Sequence, residues 1–168
     1  MKKLLSLLII INVMLLSCGR NDESLQKIDQ TLHLYIKDSA GNDLLHPSKI
    51  GSYTTISMTD DLAETNNVNV NYSRKMQTDS TYFMEYIAGS RRLFEKDSSD
   101  GSKIYKSEIK ISLTKKISET EQATPDIDTL RILYRMTPSV FEVSKVYYNN
   151  SLKFSKIQDQ PNVATVIK

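Results

Sequence analysis

The sequence predicts an all-β domain, folded as an antiparallel β-sandwich of the immunoglobulin-like kind, with a small β-barrel as the alternative. Two observations predict this class. From residue 31 onward, apolar and polar residues alternate with a period of two, as at Leu32, Leu34 and Ile36, and this period is typical of strands with one buried face. Turn-forming clusters separate the alternating segments, and almost none of the chain has the period of a long helix. A sandwich and a barrel share this pattern, so both remain open.

Length and composition indicate a single domain. The chain has 168 residues, of which 25% are charged, with five glycines, four prolines and one cysteine. This composition excludes collagenous and low-complexity classes, and one cysteine cannot form an intramolecular disulfide. An ordinary globular domain of modest size remains.

The first element in the chain is an export signal over residues 1–17. Lys2 and Lys3 precede an apolar segment from Leu4 to Leu16, as in a charged n-region followed by an h-region. As a helix, this segment would reach about 20 Å, which is short of the roughly 30 Å hydrocarbon core of a membrane. We therefore expect cleavage rather than a lasting transmembrane helix.

The end of this signal, Leu15-Leu16-Ser17-Cys18, resembles a bacterial lipobox. The resemblance implies cleavage before Cys18, a diacylglyceryl thioether on its sulfur and an acyl group on its freed amine. Two or more acyl chains give stable anchoring. The implied location is the bacterial cell envelope, at the outer membrane, in its periplasmic or its surface leaflet. An ordinary secretory signal or a signal anchor is the alternative.

A lipidated cysteine and flexible tether over residues 18–30 are expected to precede the sandwich domain at 31–168. Residues 19–24 are polar and lack a period. The signal contains two of the 22 basic residues and none of the 20 acidic ones, so the mature chain carries equal numbers of each. Because the mature chain has neither a net charge nor a block of basic residues, we expect no nucleic-acid partner.

Strands and turns alternate along the domain. Each predicted strand is a short alternating or β-branched segment, and the strands lie near residues 32–36, 53–58, 68–72, 81–88, 91–96, 102–107, 109–113, 130–136, 139–148, 151–157 and 163–167. The segments 39–43, 98–101 and 149–150 favour turns, because their residues tolerate positive φ or form Asx turns. The polar segment 115–128, which contains Pro125, is expected to be an exposed loop.

Three segments resemble small uncharacterised lipoproteins of the Bacteroidetes. Residues 38–47 are similar to their D-x-x-G-N-D-L-L-x-P stretch, and residues 126–130 to their acidic-Thr-aliphatic segment. Residues 145–152 are similar to their K-I-W-Y-N-G-x-L hairpin, with Tyr147 in place of tryptophan and Asn150 in place of glycine. The resemblance spans most of the mature chain in short pieces, and that family has no established activity to transfer.

Three triplets resemble the O-glycosylation acceptor of exported Bacteroidetes proteins, an aspartate followed by serine or threonine and then by an aliphatic residue or threonine. Their hydroxyl-bearing residues are Ser39, Ser80 and Thr129. We predict that at least one of them carries a glycan in the native host.

No catalytic, metal or cofactor site is predicted. His33 and His46 lack metal-ligand spacing, and residues 97–101 lack the alternate oxygens and distal glutamate of an EF-hand. There is no Gly-x-Ser-x-Gly nucleophile elbow. Adjacent carboxylates such as Asp60 and Asp61 do not predict the separation of about 5–9.5 Å that glycoside hydrolysis needs, so a hydrolase is the least favoured function.

The favoured hypothesis is a non-catalytic module that binds a glycan or an envelope protein. Tyrosines combine an apolar ring with a polar tip and suit such a surface; the candidates are Tyr82, Tyr86, Tyr105, Tyr147 and Tyr148. The same side chains can instead fill the core. The alternative function is a structural or assembly lipoprotein that pairs with another chain through an exposed edge strand.

Overall fold

A computed structural model describes residues 25–66 and 68–168. Within these ranges the chain is all-β, with no helix. The predicted signal and Cys18 lie outside the described residues. The strands are β1 Lys27–Asp29, β2 Leu32–Lys37, β3 Tyr53–Asp60, β4 Ser73–Met76, β5 Tyr82–Tyr86, β6 Leu93–Asp97, β7 Lys103–Lys115, β8 Asp126–Met136, β9 Val140–Tyr148, β10 Ser151–Ser155 and β11 Asn162–Ile167.

The strands form two sheets, which confirms the predicted all-β sandwich. The larger sheet has the order β1-β9-β8-β7-β3, with β10 also beside β9 and β6 also beside β7, and it curls like half of a barrel. The smaller sheet has the order β11-β2-β5-β4. Most neighbours are antiparallel, as expected, but β1 is parallel to β9 and β11 is parallel to β2, so both sheets are mixed.

The inner faces of the two sheets share one hydrophobic core. In β8, Leu130, Ile132 and Tyr134 are almost fully buried, and the residues between them are more exposed. Leu32 and Leu34 of β2 meet them from the smaller sheet. The alternation in the sequence therefore identifies the buried face of each sheet correctly, because successive strand residues point to opposite sides.

The long strand β7 has two partners on the same edge. It pairs with β6 over Lys103–Lys106 and with β3 over Ile109–Lys115. The sequence pattern predicted two separate strands here, whereas Ser107 and Glu108 continue the ladder with β8 without a break. Because β3 and β6 meet at the middle of β7, the connections that follow β3 and precede β6 leave the sheet at this point.

The segment 68–72, predicted as a strand, instead covers the outer edge of β3. The Asp60 N–H donates to Val68 O at 2.8 Å, and the Val70 N–H donates to Met58 O at 2.9 Å. These two hydrogen bonds form an isolated β-bridge. The chain then passes from the larger sheet into β4 of the smaller one. An alternating segment that crosses between two sheets cannot extend a ladder in either.

Residues 27–29, expected to belong to the tether at 18–30, form strand β1. The Asp29 carboxylate holds this strand in the body, because it accepts hydrogen bonds from Lys156 Nζ at 2.6 Å and from Asn162 Nδ2 at 2.8 Å. A three-residue strand is too short to have a recognisable period, which is why the sequence did not indicate it.

The loops lie close to their predicted positions. The turns at 39–43, 98–101 and 149–150 are present. The loop expected over 115–128 narrows to 116–125, because β7 and β8 both extend into it.

The strands give the body two ends. We call one end the base; it contains the start of β1, where the Lys27 N–H donates to Ser139 O at 2.8 Å in the β8–β9 turn. We call the other end the apex. It is formed by the turns that follow β2, β4 and β9 and by the loop between β7 and β8, at residues 38–43, 77–81, 149–150 and 116–125.

Candidate functional site

The outer face of the larger sheet carries a row of four side chains that cross its middle. Glu108, Arg131, Tyr147 and Leu152 are direct cross-strand neighbours on β7, β8, β9 and β10. The chain neighbours of the first three are buried in the core, so the row itself faces outward. Side chains directly opposite each other in a sheet are close enough to interact.

Arg131 is the central residue of this row. Its guanidinium carbon lies 4.9 Å from the centre of the Tyr147 ring, which is the geometry of a cation–π contact. Its Nε is buried and has no hydrogen-bond partner among the described residues. This atom is closed to a ligand, so the unused binding capacity of Arg131 is that of its terminal guanidinium nitrogens, which have no ionic partner among the described residues.

Arg131 lines a cleft of about 180 Å³ on this face, together with Asp61, Glu108, Thr129 and Asn150. Each carboxylate in the cleft has a lysine partner. Lys110 pairs with Asp61, and Lys106 Nζ lies 3.5 Å from a Glu108 oxygen. Within the described ranges, the Arg131 guanidinium has no carboxylate at ion-pair distance. It is therefore the unmatched charge of the cleft.

The turn between β9 and β10 positions the rim of the cleft. Asn149 and Asn150 adopt φ values of 46° and 63°, which asparagine tolerates better than most residues and which suit a two-residue hairpin. Asn149 Oδ1 accepts a hydrogen bond from the Thr129 N–H at 2.8 Å and lies 3.3 Å from the Thr129 hydroxyl. The turn is thereby fixed to β8, with Asn150 beside Arg131.

A buried ionic cluster supports this region from the core side. The Asp128 carboxylate accepts hydrogen bonds from the Tyr148 hydroxyl at 2.6 Å and from Asn149 Nδ2 at 2.5 Å, and the Lys168 ammonium pairs with both Asp128 and Asp126. Burial opposes ionisation of Asp128, but the bonds from Lys168, Tyr148 and Asn149 outweigh it and hold its pKa below the ordinary value. Burial and the bond to Asp128 together raise the pKa of Tyr148.

A larger groove of about 490 Å³ opens where β3 ends and β6 begins beside β7. Its charged side chains have partners within the protein. Asp60 accepts a hydrogen bond from the Arg91 N–H at 2.5 Å, Arg91 pairs with Glu64 at 2.8 Å, and Arg92 donates to Gln30 Oε1 at 2.7 Å. Arg92 Nε is buried and unpaired among the described residues, as Arg131 Nε is. The Arg92 guanidinium already donates a hydrogen bond to Gln30, however, and the Arg131 guanidinium donates none to the described residues. This groove therefore offers less unused binding capacity than the cleft at Arg131.

The five predicted tyrosines do not share one surface. Tyr86 and Tyr148 are only 2% and 3% exposed and belong to the core, which excludes them from a binding surface. Tyr82 and Tyr105 are half-buried and pack against the core. Tyr147 alone of the five lies on the outer face of the larger sheet, beside Arg131. Adjacent strand residues face opposite sides, so Tyr147 and Tyr148 could not both be exposed.

The three predicted glycosylation sites lie toward the apex and are exposed. Ser39 and Ser80 occupy turns, and Ser80 has a φ of 66°. Thr129 lies on the outer face of β8, where its hydroxyl contacts Asn149. Their glycosylation stays a prediction, with Ser39 and Ser80 the more accessible acceptors because they are in turns.

The Asp-Leu-Leu part of the 38–47 stretch stabilises the fold. Asp43 accepts hydrogen bonds from the Leu45 N–H at 2.7 Å and from the Tyr82 N–H at 3.0 Å, so it joins the turn after β2 to the start of β5. Leu44 and Leu45 are buried in the core. These contacts explain the residue types of this segment without a ligand.

Within residues 25–66 and 68–168, no group of three or more His, Cys, Asp or Glu side chains is placed to hold a metal ion. The same part of the chain contains no helix long and apolar enough to cross a membrane. No protein-family model, curated protein or solved structure matches this chain. The candidate site therefore rests on the geometry of the cleft alone.

Proposed function

We propose that this protein is a non-catalytic binding module, held in the bacterial cell envelope by a lipid on Cys18, that binds a glycan or a protein through the outer face of its larger sheet. The observation that carries the proposal is Arg131. Its guanidinium stacks on Tyr147, lines a cleft and has no ionic partner among the described residues. A concave site with a few convergent polar groups is the usual form of a small-ligand site.

The course of the chain supports this arrangement. β1 lies at the base and pairs with the start of β9, where Ile28 faces Phe141. Tyr147 is six residues further along β9, about 20 Å at 3.3 Å per residue. An anchor at Cys18 is separated from Lys27 by at most about 30 Å of extended chain. The base would then face the membrane, and the cleft would lie toward the free apex.

The chemistry of the cleft favours a polar ligand with one apolar face. Thr129 offers a hydroxyl, Asn150 an amide, and the carboxylates of Asp61 and Glu108 accept hydrogen bonds. Outside the lining of the cleft, Tyr147 and Leu152 supply apolar surface in the same row of the sheet. Sugars combine hydroxyl groups with an apolar ring face, so a glycan suits this site better than a flat protein surface.

The anchor is tested with Cys18→Ala in the native host or a related bacterium. We expect the wild-type protein to partition into the membrane and into the detergent phase of a Triton X-114 extraction, and the variant to lose both properties, because stable anchoring needs the acyl chains. Globomycin should cause the unprocessed precursor to accumulate. If the size of the protein and its partition into detergent stayed unchanged in both experiments, the proposed location in the cell envelope would be contradicted.

Binding is tested with the full-length, detergent-solubilised protein on an array of envelope glycans and by cross-linking in intact cells. We expect the wild-type protein to give glycan signals and Arg131→Gln to remove them. The control Ser57→Ala changes an outer-facing residue of β3 outside the cleft and should leave the signals unchanged. An array without signal above background, together with the absence of a cross-linked partner, would refute the binding function.

A further inference from the structure

We propose that the cleft recognises an acidic sugar and that Arg131 binds the carboxylate of its uronic acid. This inference rests on the proposed binding function of the same face and adds the chemical class of the ligand. The geometry of Arg131, the charges around it and the size of the cleft support this class of ligand.

Arg131 is presented in a form suited to a carboxylate. A guanidinium has a planar set of donors that matches the two oxygens of a carboxylate. The guanidinium carbon lies 4.9 Å from the centre of the Tyr147 ring, and this contact restricts the side chain before a ligand arrives, which favours binding. By comparison, Arg135 on the same strand already donates two hydrogen bonds to Glu142, at 2.9 and 2.7 Å.

The surrounding charges leave this guanidinium free for an anion. Lys110 pairs with Asp61, and Lys106 lies within 3.5 Å of Glu108 and within 3.3 Å of Glu95. Neither cleft carboxylate therefore approaches Arg131 at ion-pair distance. A ligand carboxylate would supply the terminal nitrogens of the guanidinium with the ionic partner that they lack among the described residues.

The size and lining of the cleft limit the ligand to about one ring-sized group. The cleft volume of about 180 Å³ is below the range of about 300–1,000 Å³ that is usual for pockets enclosing a whole small ligand. The Thr129 hydroxyl and the Asn150 amide can bond to ring hydroxyls next to the carboxylate. The Tyr147 ring beside Arg131 offers apolar surface next to the cleft.

The inference is tested by isothermal titration of the full-length protein, solubilised in detergent, with trigalacturonate and with its carboxyl-reduced, neutral trisaccharide. We expect trigalacturonate to bind at least about tenfold more tightly, because a hydrogen bond to a charged group contributes enough for that difference. Arg131→Gln should remove this preference, and Arg131→Lys should restore only part of it, because lysine keeps the charge and loses the planar donors. Arg135→Gln is the matched control and should leave the affinity unchanged.

Equal binding of the two trisaccharides, or an unchanged affinity in a folded Arg131→Gln variant, would overturn the inference and leave the binding function standing. Inorganic phosphate that competes as strongly as galacturonate would show that the site selects anions in general, which also overturns it. A failure of the binding function is distinguishable, because then neither trisaccharide binds, the glycan array gives no signal above background and intact cells yield no cross-linked partner. Circular dichroism of each variant establishes that it is folded.

Discussion

Replacing Asp128 with asparagine tests the buried ionic cluster beneath the cleft. The wild-type carboxylate is 3% exposed and accepts hydrogen bonds from Tyr148, Asn149 and Lys168. Asparagine has nearly the same shape, but it keeps only one acceptor oxygen and places an amide N–H₂ among groups that are themselves donors. The substitution therefore removes charge and hydrogen bonds with little change in packing.

The expected loss follows from the contacts. A hydrogen bond to a charged group contributes about 1.5–3 kcal/mol, and a buried donor left unpaired costs about 1–3 kcal/mol. At least one charge-assisted bond is lost, and Lys168 keeps Asp126 as a second partner. We expect Asp128→Asn to lower the free energy of unfolding by about 2–4 kcal/mol. With a urea m-value of about 2 kcal/mol/M, the unfolding midpoint should fall by about 1–2 M.

The effect should depend on pH in a defined direction. The folded-state pKa of Asp128 is lowered from its ordinary value of 3.8, so the ionised carboxylate stabilises the folded state above that pH. This contribution is lost as the pH falls through the lower, folded-state pKa. Urea titrations at pH 7, 4 and 3 should therefore show the gap between wild type and variant narrowing toward acid.

The control is Asp126→Asn. Asp126 pairs with the same lysine, but its side chain is 52% exposed, and exposed ion pairs contribute at most about 1 kcal/mol. A loss below about 0.5 kcal/mol for Asp128→Asn, an equal loss for both variants, or a gap that widens at pH 3 would each refute the reasoning.

Two further predictions concern stability. Tyr134 Oη is buried and has no hydrogen-bond partner among residues 25–66 and 68–168, so Tyr134→Phe should leave the melting temperature unchanged or raise it. Tyr148→Phe removes the donor to Asp128 and should cost about 1–3 kcal/mol. Equal losses for the two variants in thermal melts would contradict this difference. Gly89 has a φ of +131°, which an L side chain rarely adopts, so Gly89→Ala should cost about 1 kcal/mol or more. A urea midpoint unchanged by Gly89→Ala would show that the backbone relaxes there without strain.

Alternation alone predicts the strands that are buried on one face along their length, such as β2 and β8. It fails where a polar residue occupies a core position. Ser107 is fully buried within β7, and its hydroxyl donates to Arg91 O at 2.7 Å. In the sequence, Ser107 looks like a break between two strands. The carbonyl oxygen that accepts its hydrogen bond, and so allows a serine in the core, belongs to a segment distant along the chain. It fails again at β4, whose four residues bury no complete face.

The candidate site was also not predictable from the sequence, because it depends on contacts between residues that are distant along the chain. Arg131 looks like any polar residue on the outer face of a strand. Its environment depends on the register that brings Glu108 and Tyr147 beside it, and on the pairing of Glu108 with Lys106 rather than with Arg131. Tyr147 was predicted as a binding residue from its type, but only the structure separates it from the buried Tyr148.

The edges of the sheets bear on the choice between a binding module and an assembly protein. β1 has three residues, and the segment 68–70 covers the edge of β3. β6 carries Glu95 and Asp97, and its register shifts between Phe94 and Lys96. Short, charged and bulged edges oppose the addition of another strand. With the proposed anchor, copies on one membrane would meet often, and these three edges would hinder pairing between them. This favours the proposed binding module over assembly through β1, β3 or β6.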